Sequence, residues 1–362
     1  MPGRLTPLMH AHTVRLGAWM PFERAAGEMA LNHGIHLSKE QVRRKTEQAG
    51  AVYEQAQTQA PSADACVSPV PQRQMMSVDG AMVNTTSGEW REVKTLTIAQ
   101  VQPDGSSVQP SYFSRMAEHR VFATLAEAEA LRRQVQRSAE VCAVADGADY
   151  NQAVIDHLCP PAERILDFFH AAEHLALPLR AVYGEGTEPF AANFQQQRRE
   201  LRDGDPDHVL AALSDLAAQH PAHAEIINAT LGYFTKRRDQ IEYTAFKAAH
   251  WPIGSGSGEA AHKVVVETRL KQAGMRWAVP NVNPMVALRN MICNDRWDEA
   301  WPAVASHLCQ PRRSPAPTVP DRDIVPVGTL PSGFKLKPAT PWRNMPVGNA
   351  QTMSSTPDHA KS

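Results

Sequence analysis

Three acidic residues sit where a carboxylate needs a reason. Asp79 lies in Ser77-Val78-Asp79-Gly80, inside the apolar run RQMMSVDGAMV. Asp146 lies in Val144-Ala145-Asp146-Gly147, at the end of the apolar run EVCAVADGADY. A carboxylate in a buried strand is costly unless it is paired or bound to a metal. Glu259 follows the run GSGSG and opens a helical segment. Two Asp and one Glu can hold two Mg2+ or Mn2+ ions about 3.5–4 Å apart, one serving the attacking oxygen and one the leaving oxygen of a phosphodiester. Each acid also has an ordinary explanation. Asp-Gly is a common turn between strands, and taken singly the turn is the better account of either Asp. An acid in a first helical turn favours the helix dipole by roughly 0.3–1 kcal/mol, with Ser257 as a suitable cap.

Other side chains could serve such a site. Asp167, His170 and His174 are spaced to share one face of a helix. They fit an accessory role, or Asp167 simply caps the helix while the histidines pack against the core. Candidate phosphate contacts are Arg43 and Arg44, the cluster Lys236, Arg237 and Arg238, and Lys263, Arg269, Lys271 and Arg276, with Trp277 able to stack on a base. A solvated surface is the default for these clusters, and Lys263, Glu267 and Lys271 alternate in sign as a salt-bridged helix face does.

The elements that must position these residues follow from periodicity. Residues 1–57 are read as a helical region. FERAAGEMALNHG stops at Asn32-His33-Gly34, and Ser38 can cap SKEQVRRKTEQAG, with Val42 inside and Lys39, Gln41, Arg43, Arg44 and Lys45 outside. This is the shape of a DNA-binding helix-turn-helix, or of a plain helical hairpin. Residues 58–72, rich in Pro, Ser and Ala, read as a linker. Then RQMMSVDGAMV and WREVKTLTIAQVQ read as strands, PSYFSRMAEHRVF as a weaker third, and TLAEAEALRRQVQRSA as a helix. A strand ending at Asp146, a short helix in YNQAVIDHL and a strand-to-helix segment RILDFFHAAEHLALPL complete the order of an α/β, RNase H-like mixed sheet. Residues 184–250 carry no strand signal and form an all-helical insertion, and GSGSGEAAHKVVVETRLKQAG opens a long helix. The catalytic domain is expected over 73–310, and 311–362, Pro-rich and aperiodic, as a mostly disordered tail.

Composition sets the outer bounds. The chain has 362 residues and a formal net charge of -1, so a nucleic-acid partner needs local basic patches rather than bulk charge. The five cysteines are scattered without a CxxC pair, as in reduced thiols of a cytosolic protein. No apolar run is long enough to span a membrane, and the first residues lack the apolar stretch of a secretory signal.

SVDGAMV, VADGADY, ILDFFHAAEHL and PIGSGSGEAAHKVVVETRLKQAGMRW together closely resemble the ISKra family of bacterial insertion-sequence transposases. The likeness extends from about residue 14, through RLGAWMPFERAAGEM, to about 300, and PWRNMP near the C-terminus is similar too. It implies metal-dependent DNA cleavage and strand transfer at the element's ends, on an RNase H-like fold, with Asp79, Asp146 and Glu259 as catalytic, metal-holding triad. Asp146 is preferred over Asp167 because such folds place the second acid at the end of a strand, before a helix. The resemblance further implies double-stranded DNA as partner, homo-oligomers on DNA, and a cytoplasmic, nucleoid-associated location. Two departures stand out. The cysteine-rich segment that begins relatives is missing, which raises the alternative of a truncated, non-catalytic DNA-binding remnant. Asp149-Tyr150 replaces aromatic residues next to the second acid. A general RNase H-like nuclease is the third reading.

Overall fold

The computed structural model describes residues 5–309, with the backbone alone given for 257–259. Its centre is a five-stranded mixed sheet of order β3-β2-β1-β4-β5. β1 (Arg73–Asn84), β2 (Trp90–Val101) and β3 (Ser107–Arg115) are long and antiparallel, and β2 is rich in β-branched residues. The β2–β3 hairpin turns on Pro103-Asp104-Gly105, where Gly105 adopts φ 84° and donates its N–H to Gln102 O at 2.9 Å. β4 (Glu140–Ala145) and β5 (Glu163–Leu166) are short, and β1, β4 and β5 run parallel to one another. The third strand stops at Arg115, earlier than the sequence pattern suggests. The Glu118 carboxylate caps α4 (His119–Arg132) by accepting from Arg120 N at 2.9 Å, which turns the following residues helical.

Alternation sorts the side chains onto two faces. Met76, Val78, Leu96, Ile98, Ala143 and Ala145 pack with Phe122 and Ala126 of α4 and Val154 and Ile155 of α5 (Asp149–Leu158). The other face is divided. Met75, Ala99, Cys142 and Val144 lie under a helical block made of α6 (Phe168–Tyr183), α7 (Glu188–Asp203), α8 (Pro206–Gln219), α9 (Ala224–Lys236) and α10 (Tyr243–Ala248). Ala81, Val83, Val93 and Tyr112 lie under a second set, which includes α2 (Phe22–His33), α3 (Lys39–Gln57) and α13 (Val279–Cys293).

The N-terminal helices do not stand apart from the sheet. α1 (Pro7–Trp19), inside the region expected to be helical, and α3 pack against α13, and the described residues form one compact unit. The approach is close. A Cβ on Gly17 would meet Thr46 Oγ1 at 2.2 Å, and one on Gly50 would meet Pro284 O at 2.3 Å. Ser38 caps α3 through a reciprocal capping box with Gln41, as its spacing suggests.

The expected long helix after GSGSG is interrupted. α11 (Gly256–Ala261) leads into a π-helical turn, His262–Glu267, then α12 (Thr268–Leu270). The helix begins at Gly256, so Ser257 lies inside it rather than capping it. The widened turn frees carbonyls that the buried Arg289 guanidinium of α13 takes up: Nε donates to Val265 O at 3.3 Å and Nη2 to Val264 O. α14 (Trp297–Cys309) ends the described chain, and the Pro-rich segment 311–362, with PWRNMP, lies outside it. All five cysteines are free thiols, and no described helix is long and apolar enough to cross a membrane.

One ion pair ties α4 to the start of α14. Glu129, 3% exposed, accepts from Arg296 Nη1 at 2.6 Å and Nη2 at 2.7 Å. Burial pushes the Glu129 carboxyl up, but the Arg296 guanidinium outweighs it and holds it below its ordinary value. Glu129→Gln leaves a buried guanidinium facing a neutral partner and is expected to destabilise the fold by about 3–5 kcal/mol in urea denaturation at neutral pH. The pair's contribution is complete above the ordinary carboxylate value of about 4.3 and is lost as pH falls through the lowered folded value. The gap between wild type and variant therefore narrows in acid, and a gap independent of pH would contradict the assignment.

Candidate functional site

The two sheet acids meet through strand register. The last bonded pair between β1 and β4 is Met76 with Ala143, and Asp79 and Asp146 each stand three positions further on. They therefore share one level on adjacent parallel strands, on the face that carries Met75 and Val144. Asp79 lies between Met75, under the α6–α10 block, and Ala81, under the N-terminal set, so the divided face opens at the acid. β1 continues past this point while β4 ends at Ala145, so Asp146 stands just beyond the C-terminal end of its strand, the end at which α/β sheets bind ligands.

Each acid is held by one oxygen. Asp79 Oδ1 accepts from Gly80 N at 2.7 Å. Asp146 Oδ1 accepts from Ala148 N at 2.9 Å and from Asn151 Nδ2 at 2.8 Å, and no described side chain engages its Oδ2. His262 Nε2 lies 3.3 Å from Asp79 Oδ2, in ion-pair range but without hydrogen-bond alignment. Burial raises the Asp79 carboxyl, but the His262 imidazole, the Gly80 amide and His170 together bring it below its ordinary value. Asp79 is thus ionised at neutral pH.

Neighbours fix the turn after the second acid. Tyr233 of α9 donates its hydroxyl to Asp146 O at 3.0 Å, and Arg237 donates Nη2 to Gly147 O at 2.6 Å. Tyr233 is sandwiched, with Arg237 4.1 Å from its centroid and His174 stacked at 3.8 Å. Burial, with Arg237 and His170 nearby, lowers the His174 imidazole, so it stacks uncharged. Gly147, at φ 81°, has no room for a Cβ, which would lie 2.7 Å from Arg237 Nε and 2.8 Å from Tyr233 Oη. Tyr150 donates to Glu92 Oε1 at 3.2 Å, and burial, then Glu92, Asp146 and Asp79, push its phenol up. One protonated phenol therefore feels both acids.

Asp167 is spent structurally. It stands one position past the bonded pair Ala145 with Leu166, level with Asp146, yet it is 1% exposed. Its Oδ1 caps α6 by accepting from Phe169 N at 2.7 Å and His170 N at 3.0 Å, and its Oδ2 accepts from Ser255 N. That latch fixes the start of the GSGSG loop. The Glu259 side chain lies outside the described ones. Its helix, α11, packs on β1 and β2, and His262, one turn on, reaches Asp79. Among the described residues, which leave out the Glu259 side chain, no three His, Cys, Asp or Glu gather as a metal-holding group. Two carboxylates at one level, one ionised by its surroundings and one with an unengaged oxygen, fit a hard divalent cation.

The basic candidates divide. Arg269 is fully buried between Phe22 and Trp277, with centroid distances of 4.6 and 4.9 Å, and donates Nε to Gly17 O. Trp277 is 5% exposed, bonds the end of β1 through Asn84 O and donates Nε1 to Leu270 O at 3.3 Å. Neither can meet DNA, which corrects the surface roles expected for them. Arg237 holds the Gly147 turn. Arg238 is paired with Asp207 and Glu242, Lys236 with Asp149, Lys271 with Glu267, and Arg43 with Glu40 and Glu47. Arg44, Lys263 and Arg276 are exposed, as is much of His170. Sequence reading missed His262, Tyr233 and Glu92. The first had a signal, one helical turn after Glu259.

Asp146→Asn is expected to abolish Mn2+ binding, read from the resonance of free Mn2+, at little cost in stability. Asp167→Asn is expected to keep binding and to lower stability by about 1–3 kcal/mol through its cap and latch. The reverse pattern would make Asp167 the second ligand. Tyr233→Phe is expected to weaken Mn2+ binding about 10-fold, the scale of losing a partner that orients a ligand. No protein-family model and no curated protein matches the chain, which leaves this geometry and the motifs around it as the ground for a functional assignment.

Proposed function

We propose that the chain is a DDE transposase of RNase H-like fold, similar to the ISKra insertion-sequence enzymes, acting on the DNA ends of its element. The observation that carries this reading is the placing of Asp79 and Asp146 at one level of adjacent parallel strands, under the helix that bears Glu259. The strand order, three antiparallel strands continued by two parallel ones, is compatible with the fold.

Asp79, Asp146 and Glu259 would hold Mg2+ or Mn2+, which supplies Lewis-acid activation of a phosphodiester when bound. The chain's own contribution is preorganisation. His262, with the Gly80 amide and His170, lowers the Asp79 carboxyl, Tyr233 and Arg237 fix the carbonyls of Asp146 and Gly147, and Asp167 ties the start of the GSGSG loop to the sheet. Of the basic candidates, Arg44, Lys263 and Arg276 are exposed and would be open to backbone phosphates. Water would cut the element's end, and the freed 3′-OH would attack target DNA in line. The protein would work in the cytoplasm as a homo-oligomer on DNA.

The test is cleavage of labelled duplex carrying the element's terminal repeats, with Mg2+ or Mn2+. Wild type is expected to cut at the ends, and Asp146→Ala to lose at least about 10³-fold, the scale of removing a charge-stabilising group. Binding of the ends without cutting would favour the non-catalytic remnant. Cutting without preference for the ends would favour a general nuclease.

A further inference from the structure

Far from the acids, the β3 edge gathers arginines. Arg115 lies 3.9 Å from Glu54, Arg132 2.7 Å from Glu299 and Arg296 2.6 Å from Glu129. Arg133 is the unmatched member of this group: among the described residues it forms no ion pair. It follows α4, its N–H bonded to Glu129 O at 2.9 Å and its carbonyl to Gln74 Nε2 at 2.9 Å, so its backbone is fixed. Its side chain is 6% exposed, and its Nε and Nη2 are buried without a hydrogen-bond partner. Burial lowers the proton affinity of this guanidinium, and Glu129, itself paired with Arg296, offsets that only in part, so the group lacks a hydrogen-bonded anion.

Arg133 lines an open groove of about 470 Å³, formed with Arg132, Ser111 of β3 and the turn at Asn294. The groove is too large for a lone halide and large enough for a tetrahedral anion with an attached group. Adjacent guanidinium forks suit phosphate oxygens. Of the acids on it, Glu299 is already paired with Arg132, and Asp295 is exposed at the rim, without an ion pair among the described residues. We infer that this groove is a phosphate-binding site with Arg133 at its floor. It is separate from the proposed catalytic centre and does not rest on the transposase reading.

The probe is inorganic phosphate against chloride at matched ionic strength. At about 10 mM phosphate and a Kd of about 1 mM, wild type is expected to melt about 2–4 °C higher than in chloride. Arg133→Met is expected to lose that shift while melting in chloride no lower than wild type. A second readout needs no variant: Cys66 and Cys293 line the groove, whereas Cys309 is exposed elsewhere. Phosphate is expected to slow alkylation of the first two and leave Cys309 unchanged. No thermal shift in wild type, a shift that survives in Arg133→Met, or equal alkylation in both salts overturns the site. Short duplex DNA identifies the source. If Arg133→Met also weakens duplex binding and lowers its salt slope by about one, the group is a backbone phosphate; if duplex binding is unchanged while the phosphate shift is lost, it is a free one.

Discussion

Parallel pairing of β1 with β4 is the contact on which the site depends. In a parallel ladder, residues at one level point to one face, so a single register decides whether two carboxylates converge or diverge. Here the ladder is short, ending at Met76 and Ala143. What keeps the register beyond it is burial: Met76, Val78, Ala143 and Ala145 all enter the α4–α5 core. A slip of one residue would put Asp146 into that core and expose Ala145. The apolar side of the sheet therefore fixes the position of the acids on the opposite side.

Three acids reach the same edge, and their surroundings divide the work. Asp167 spends both oxygens on backbone amides and so becomes a structural latch between β5, α6 and the GSGSG loop. Asp146 spends one oxygen on its own turn, and Tyr233 of α9 and Arg237 just after it grip the carbonyls of Asp146 and Gly147. Asp79 has an imidazole beside it. The π-turn matters to this last contact. It sets the pitch of the helix between His262, over Asp79, and Val264 and Val265, whose carbonyls are tied to Arg289.

Much of this was legible in the sequence because it is local. An Asp-Gly inside an apolar run marks a polar residue that burial alone does not explain, and alternation gives the faces of β1 and β2. The capping box at Ser38 and the role of Asp167 as a possible cap also follow from neighbouring residues. The rest depends on partners far along the chain. Arg269 looked like a surface cation because nothing near it reveals that Gly17 O and the Phe22 ring would enclose it. Trp277 looked like a stacking platform, yet its neighbours 276 and 278 give no hint that its backbone closes the end of β1. The break in the helix after GSGSG was hidden for the same reason, since its cause, Arg289, belongs to α13.

Net charge conceals how the basic residues are used. Arg115, Arg269 and Arg289 are among the largest fully buried side chains, and Arg43, Arg238 and Arg296 are engaged by carboxylates. A guanidinium can stack on aromatic rings and donate in several directions, so it can act as a core polar clamp where an ammonium could not. Cations spent this way contribute little to the field outside the protein. A nucleic acid would then meet a few discrete basic points rather than a broad positive surface. If the chain acts on DNA as proposed, that would favour positioning of a phosphate at defined places over strong non-specific capture, since anionic DNA would have to be brought to acids that repel it by discrete contacts rather than by charge spread over the whole molecule.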